Sequence, residues 1–151
     1  MKIVVDTNIV FSGILNQKSR IGKVLIGEHK FFNFYSCYYL QKELMNHYSK
    51  ISHIAKKLID RIIEIEKCLT KNIKFINENI IPKTIILESE KLDKDVDFDD
   101  IFFVALTKHL NAKLWTGDYK LIDSLNSKGF TQIIKTHEIL SLIEKFKREN
   151  E

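Results

Sequence analysis

Three consecutive β-branched aliphatics, Ile3-Val4-Val5, run directly into an aspartate at position 6. A run that is apolar on both faces suits a strand covered by helices on both sides, the setting of parallel sheets. The carboxylate that follows it is drawn towards a low-dielectric interior, where an unpartnered charge is very costly. Asp6 therefore needs a partner. The polar side chains of Asp6-Thr7-Asn8 can also cap a helix at about 8–16.

The same alternation continues along the chain. Phe32–Ser36, Ile73–Ile76, Lys113–Thr116 and Gln132–Ile134 read as strands. Between and after them, helical spacing marks about 20–28, 38–71 with a break near Ser49–Ser52, a helix opened by Pro82, then 101–110, 119–127 and 136–148. Strands alternating with helices predict an α/β fold with a mainly parallel sheet. A length of 151 residues fits a single domain spanning 1–151, and one proline with five glycines leaves little linker material. The longest apolar run, Ile101–Leu106, is six residues, far short of the ~20 that span a bilayer. With no apolar run of a signal peptide before Asp6, the expectation is a cytoplasmic protein without a membrane partner. Cys37 and Cys68 lack ligand spacing and are expected as reduced thiols.

In open parallel sheets, sites form beyond the carboxyl ends of the strands at a topological switch point. Asp6 and Asp118 follow strands, Asp97, Asp99 and Asp100 precede a helix, and Glu43 sits early in a helix after a strand. Each has an ordinary explanation when taken alone. Asp97 and Asp100 can cap a helix, Asp118 can serve a turn, and Glu43 can be a solvated helix residue. Together they are harder to explain, because carboxylates sharing a pocket repel one another unless a cation is present. A hard divalent cation, Mg²⁺ or Mn²⁺, neutralises an all-oxygen site and suits phosphodiester hydrolysis.

The residues Met1-Lys-Ile-Val-Val-Asp6-Thr7-Asn8-Ile-Val-Phe-Ser-Gly-Ile-Leu15 resemble the opening of PIN-domain proteins. Tyr39–His47, Asp97–Leu106 and Leu114–Leu121 resemble the family's next three acidic segments in order, and the likeness extends to about residue 138. It is closest to the VapC-like branch, the toxins of toxin–antitoxin pairs. The resemblance implies a three-layer α/β/α fold around a five-stranded sheet and a Mg²⁺- or Mn²⁺-dependent ribonuclease. Asp6, Glu43, Asp100 and Asp118 match its catalytic and metal-ligating acids, Asp97 an accompanying acid, and Asn8 and Thr116 orienting polar positions. It also implies an antitoxin partner and homodimers. His47, four residues after Glu43, shares its helix face, either as a hydrogen-bond partner or as a surface residue. Asp95, Asp99 and Asp123 are expected to be solvated.

A net charge of +4 conceals an asymmetry, with 13 basic and 6 acidic residues in 1–75 against 11 and 14 in 76–151. Such asymmetry points towards nucleic acid. Lys42, Lys50, Lys56 and Lys57 are candidate phosphate contacts, and Tyr35, Tyr38, Tyr39 and Tyr48 could stack unpaired bases of single-stranded RNA. The competing role for these side chains is solvation of helix faces and packing at the core edge. Two other functional classes fit less well. A non-catalytic RNA-binding module would not need the complete acid set. A phosphatase with Asp6 as nucleophile would want a second aspartate where Asn8 stands.

Overall fold

The computed structural model describes residues 1–92 and 97–151, so the expectation for Asp95 lies outside the described residues. Five strands, β1 (Lys2–Val5), β2 (Asn33–Cys37), β3 (Ile73–Ile76), β4 (Lys113–Trp115) and β5 (Ile133–Ile134), form a sheet of order β3-β2-β1-β4-β5. Every pairing in it is parallel, tightening the expectation of a mainly parallel sheet. The central strand carries the most apolar segment, and Ile3, Val4 and Val5 are fully buried.

Helices cover both faces and complete a three-layer α/β/α arrangement. On one side α1 (Thr7–Leu15), α2 (Arg20–Gly27) and α5 (Ile59–Thr70) pack together. On the other, α6 (Lys83–Leu92) packs on α7 (Ile101–Leu110), which lies against β1, β2 and β4. Helices α3 (Tyr38–Asn46) and α4 (Tyr48–Ala55) follow β2, α8 (Tyr119–Ser127) follows β4, and α9 (Thr136–Glu149) closes the chain. One continuous core runs from Ile3 to Ile143.

Most boundaries agree with the sequence within a residue or two, and three differences have local causes. β2 begins at Asn33, because the Phe32 N–H bonds to the His29 carbonyl and closes a short 3₁₀ turn. The region 38–71 holds three helices, and the expected break at Ser49–Ser52 lies inside one of them. The chain turns instead at His47, whose N–H bonds back to the Leu44 carbonyl, and at Lys56, which adopts left-handed φ 53. Pro82 stands one residue before α6, its carbonyl accepting from Ile85 and Ile86. Both cysteines are free thiols, Cys37 buried at the end of β2 and Cys68 exposed on α5.

Helix α2 is held close to the preceding loop. The Ser19 hydroxyl accepts from Gly22 N at 3.2 Å, and a Cβ on Gly22 would come 2.2 Å from the Gln17 carbonyl oxygen. Backbone cannot yield as a flexible side chain does, so Gly22→Ala should lower stability by about 1–3 kcal/mol despite alanine's better helix propensity. Urea unfolding reads this directly, and a variant at least as stable as the wild type would contradict the close approach.

Candidate active site

The switch point of this sheet lies between β1 and β4, where strand order reverses. Asp6 leaves the central strand there, and its N–H continues the ladder to the Trp115 carbonyl at 3.1 Å. Its side chain is almost fully buried, 4% exposed. Oδ1 accepts from Thr7 N at 2.7 Å, and Oδ2 accepts from the Thr116 hydroxyl at 2.7 Å. Burial pushes the Asp6 carboxyl up to about 6; these two hydrogen bonds oppose the shift and the Asp118 charge adds to it.

Thr116 organises the loop after β4. Its Oγ1 accepts from Asp118 N at 3.1 Å and from Asn8 Nδ2 at 3.4 Å while donating to Asp6. Asn8 Oδ1 in turn accepts from Gly117 N at 3.4 Å, so Asn8 ties the start of α1 to the β4 loop. Asp118 caps α8, with Oδ1 accepting from Leu121 N at 3.2 Å. The capping role and a role in the site therefore coexist in this residue.

Glu43 arrives from the first two turns of α3 and accepts from the Thr7 hydroxyl at 2.6 Å. Its carboxyl is raised to about 7 by burial, against that hydrogen bond, with further upward pushes from Asp6, Asp99 and Asp97. Asp6, Glu43, Asp100 and Asp118 line one cavity of about 210 Å³ together with Thr7, Asn8 and His47. Among the described residues no lysine or arginine lines it. The four acids share a cavity, but among the described residues no three Asp, Glu, His or Cys side chains close into an ion-binding group.

Several expectations are corrected. Asp99 is not simply solvated; it is half-buried and hydrogen-bonds Tyr39, whose hydroxyl is held protonated by burial and by that bond. Asp123 is exposed as expected. Asp97 is exposed and makes no side-chain cap, and the turn Phe98–Asp100 closes through its backbone carbonyl. His47 is the C-cap of α3 and lines the cavity with Glu43; of the two roles offered for it, the exposed surface residue fits, since among the described residues its ring makes no hydrogen bond. Tyr39 packs on Phe102 and Phe103, Tyr35 is half-buried against the core, and the Tyr48 hydroxyl donates to the buried Glu66. Of the four tyrosines Tyr38 alone is classed as exposed, at 50%. Lys42, Lys50, Lys56 and Lys57 are all exposed and stand outside the acidic lining. Thr7, which holds Glu43, was not anticipated; its place beside Asp6 was the only signal.

The donors around the cavity are oxygen atoms, apart from the His47 ring at its edge, and burial disfavours charge on two of them. That chemistry fits a hard divalent cation, which Asp6, Glu43, Asp100 and Asp118 could hold.

A PIN domain family model matches residues 4–139. A chain in the crystal structure of VapBC2 from Rickettsia felis bound to a DNA fragment from their promoter has the same fold, with a TM-score of 0.68. The two are 16% identical, and the alignment covers 89% of this chain and 97% of that one. No curated protein matches the sequence significantly.

The raised carboxyls set the pH dependence of stability. Asp6 moves from 3.8 to about 6 and Glu43 from 4.5 to about 7, so the native state binds more protons than the unfolded chain in that interval. Stability contributed by protonation is present below the unfolded values and is lost as pH rises through the folded ones. Glu43→Gln keeps a carbonyl for the Thr7 hydroxyl and removes the charge. In metal-free thermal melts its Tm should exceed that of the wild type near pH 8 and approach it near pH 4. An equal or lower Tm near pH 8 would count against a desolvated Glu43.

Proposed function

The chain belongs to the PIN-domain family, and on that premise we propose that it is a divalent-metal-dependent ribonuclease hydrolysing single-stranded RNA, the toxin of a toxin–antitoxin pair. The observation that carries the reading is Asp6, a buried carboxylate with both oxygens held, sharing its cavity with three further acids. Both donors to Asp6, the Thr7 N–H and the Thr116 hydroxyl, are neutral groups, so its charge is not matched by either of them.

Asp6, Asp100 and Asp118, with Glu43, would hold Mg²⁺ or Mn²⁺. When bound, such an ion neutralises charge on the phosphate and acidifies a water. The remaining contributions belong to the chain. Thr7 N and the Thr116 hydroxyl fix the orientation of Asp6, and the Thr7 hydroxyl fixes Glu43, so both carboxylates meet a substrate already positioned. Glu43, held by the Thr7 hydroxyl beside Asp6, is placed to orient the attacking water or to accept its proton. Asn8 links the start of α1 to the β4 loop through Thr116 and Gly117. Asp97 and Asp99 add negative charge at the rim, and His47 stands at the cavity edge.

The fold shared with a chain of VapBC2 supports an antitoxin partner, and so does the surface of α3–α5. Met45, Ile54, Leu58 and Ile59 are 63%, 49%, 80% and 40% exposed there, apolar side chains of the kind protein partners cover. An antitoxin or a second copy in a homodimer would meet it.

Two measurements test the reading. Asp6→Asn should lower metal-dependent cleavage of single-stranded RNA at least ~100-fold, the scale of removing a main electrostatic group in a catalytic site; a variant with full activity sinks the assignment. Mn²⁺ at about 100 times its Kd should stabilise the native protein by ~2.7 kcal/mol, seen as a rise in Tm that Asp6→Asn reduces. An unchanged Tm at millimolar Mn²⁺ would argue against a preformed site.

A further inference from the structure

Three cavities lie in strand order along the carboxyl edge of the sheet. Beyond β3 and β2 is a groove of about 570 Å³ that includes Tyr38, Tyr39, Lys42, Glu78 and Lys83. Beyond β1 is the acidic cavity. Beyond β4 and β5 is a cleft of about 250 Å³ that includes Arg20, Thr116, Tyr119, Lys135 and His137. Neighbouring cavities are joined by single side chains. Thr116 lines the β4–β5 cleft and donates to Asp6; Tyr39 lines the β3–β2 groove and bonds Asp99, whose charge acts on Glu43.

Charge alternates along this row. The centre is acidic, while the β4–β5 cleft has cationic Arg20 and Lys135 and, among the described residues, no acid in its lining. In the β3–β2 groove Lys42 and Lys83 are exposed, and Glu78 is engaged by Tyr39 N at the start of α3. Each flank also offers an aromatic face. Tyr119 is 69% exposed with the Lys135 ammonium 5.8 Å from its ring centre, and half-exposed Tyr38 is stacked on Phe75 at 6.1 Å.

We propose that this edge is a continuous track for one RNA strand, with a phosphate subsite at Arg20 and Lys135 and a second contact region at Tyr38, Lys42 and Lys83. The inference rests on the ribonuclease reading and assigns the path its substrate takes. An acidic centre repels a polyanion, so affinity must come from cations on either side of it. Five strands about 4.8 Å apart span ~19 Å. At ~3.4 Å per stacked nucleotide that is room for at most about six nucleotides, fewer when extended. Exposed rings beside the cations favour a single strand with unstacked bases over an acidic protein segment. Lys50, Lys56 and Lys57, on α4 and the turn after it, are not among the described residues that line these three cavities.

The test uses the full chain without divalent ions and a fluorescent single-stranded oligoribonucleotide of about eight nucleotides, with binding followed by anisotropy over a salt series. Arg20→Ala with Lys135→Ala should weaken binding at least ~10-fold and lower the salt slope by about 1.4, at ~0.7 per phosphate contact. Arg20→Lys with Lys135→Arg should retain most of the affinity, while Lys50→Ala, Lys56→Ala and Lys57→Ala together should cost less than about twofold, since they leave the row untouched. Unchanged binding by the folded Arg20/Lys135 alanine variant overturns the track. So does absence of binding by the wild type, or equal affinity for a duplex or for an oligoglutamate of the same charge. Adding Mn²⁺ separates the two readings. Binding without cleavage removes the nuclease and leaves the track, whereas cleavage with unaltered binding by the alanine variant removes the track and leaves the nuclease.

Discussion

The hydrogen bond from the Thr116 hydroxyl to Asp6 Oδ2 joins the ends of the two strands on which the site is built. It spans 110 residues of sequence and crosses the sheet where strand order reverses. A carboxylate desolvated this deeply must be held on both oxygens, and the second is held by Thr7 N at the first turn of α1. The same threonine at position 7 then fixes Glu43 through its hydroxyl. Asp6 thus sets the register between the central strand, the first helix and the β4 loop.

That arrangement works against local stability. Burial works against charge on Asp6 and Glu43, and the fields of Asp118, Asp97 and Asp99 add to the penalty. Elsewhere the interior is conventional, with a central strand covered on both faces by aliphatic and aromatic side chains. The one other buried carboxylate, Glu66 among the described residues, receives the Tyr48 hydroxyl. The contrast is informative: Glu66 is a packing residue with a local donor, whereas Asp6 sits in a row of acids at a strand end. Sites that run against local stability in this way are commonly functional.

Much of the fold could be read from the chain, because strand and helix periods are local properties. Ile3–Val5, Ile73–Ile76 and the helices at 119–127 and 136–148 lie close to where their patterns put them. The helical region 38–71 resisted, since its turns at His47 and Lys56 depend on backbone hydrogen bonding and a left-handed residue that carry no strong sequence signal. The tyrosines show the same limit. Tyr38 and Tyr39 are adjacent and chemically identical, yet one is exposed and stacked on Phe75 while the other packs on Phe102 and bonds Asp99.

From the sequence alone come the alternation of elements, the apolar central strand and the order in which acids follow strands, because each depends on neighbours within a few residues. Tertiary structure alone decided which of those acids share a cavity, how far burial raises Asp6 and Glu43, and that Arg20 and Lys135 line one cleft with Thr116. The physical reason is strand order. β1 lies between β2 and β4, so residues more than a hundred positions apart become hydrogen-bond partners, and no local pattern encodes that adjacency.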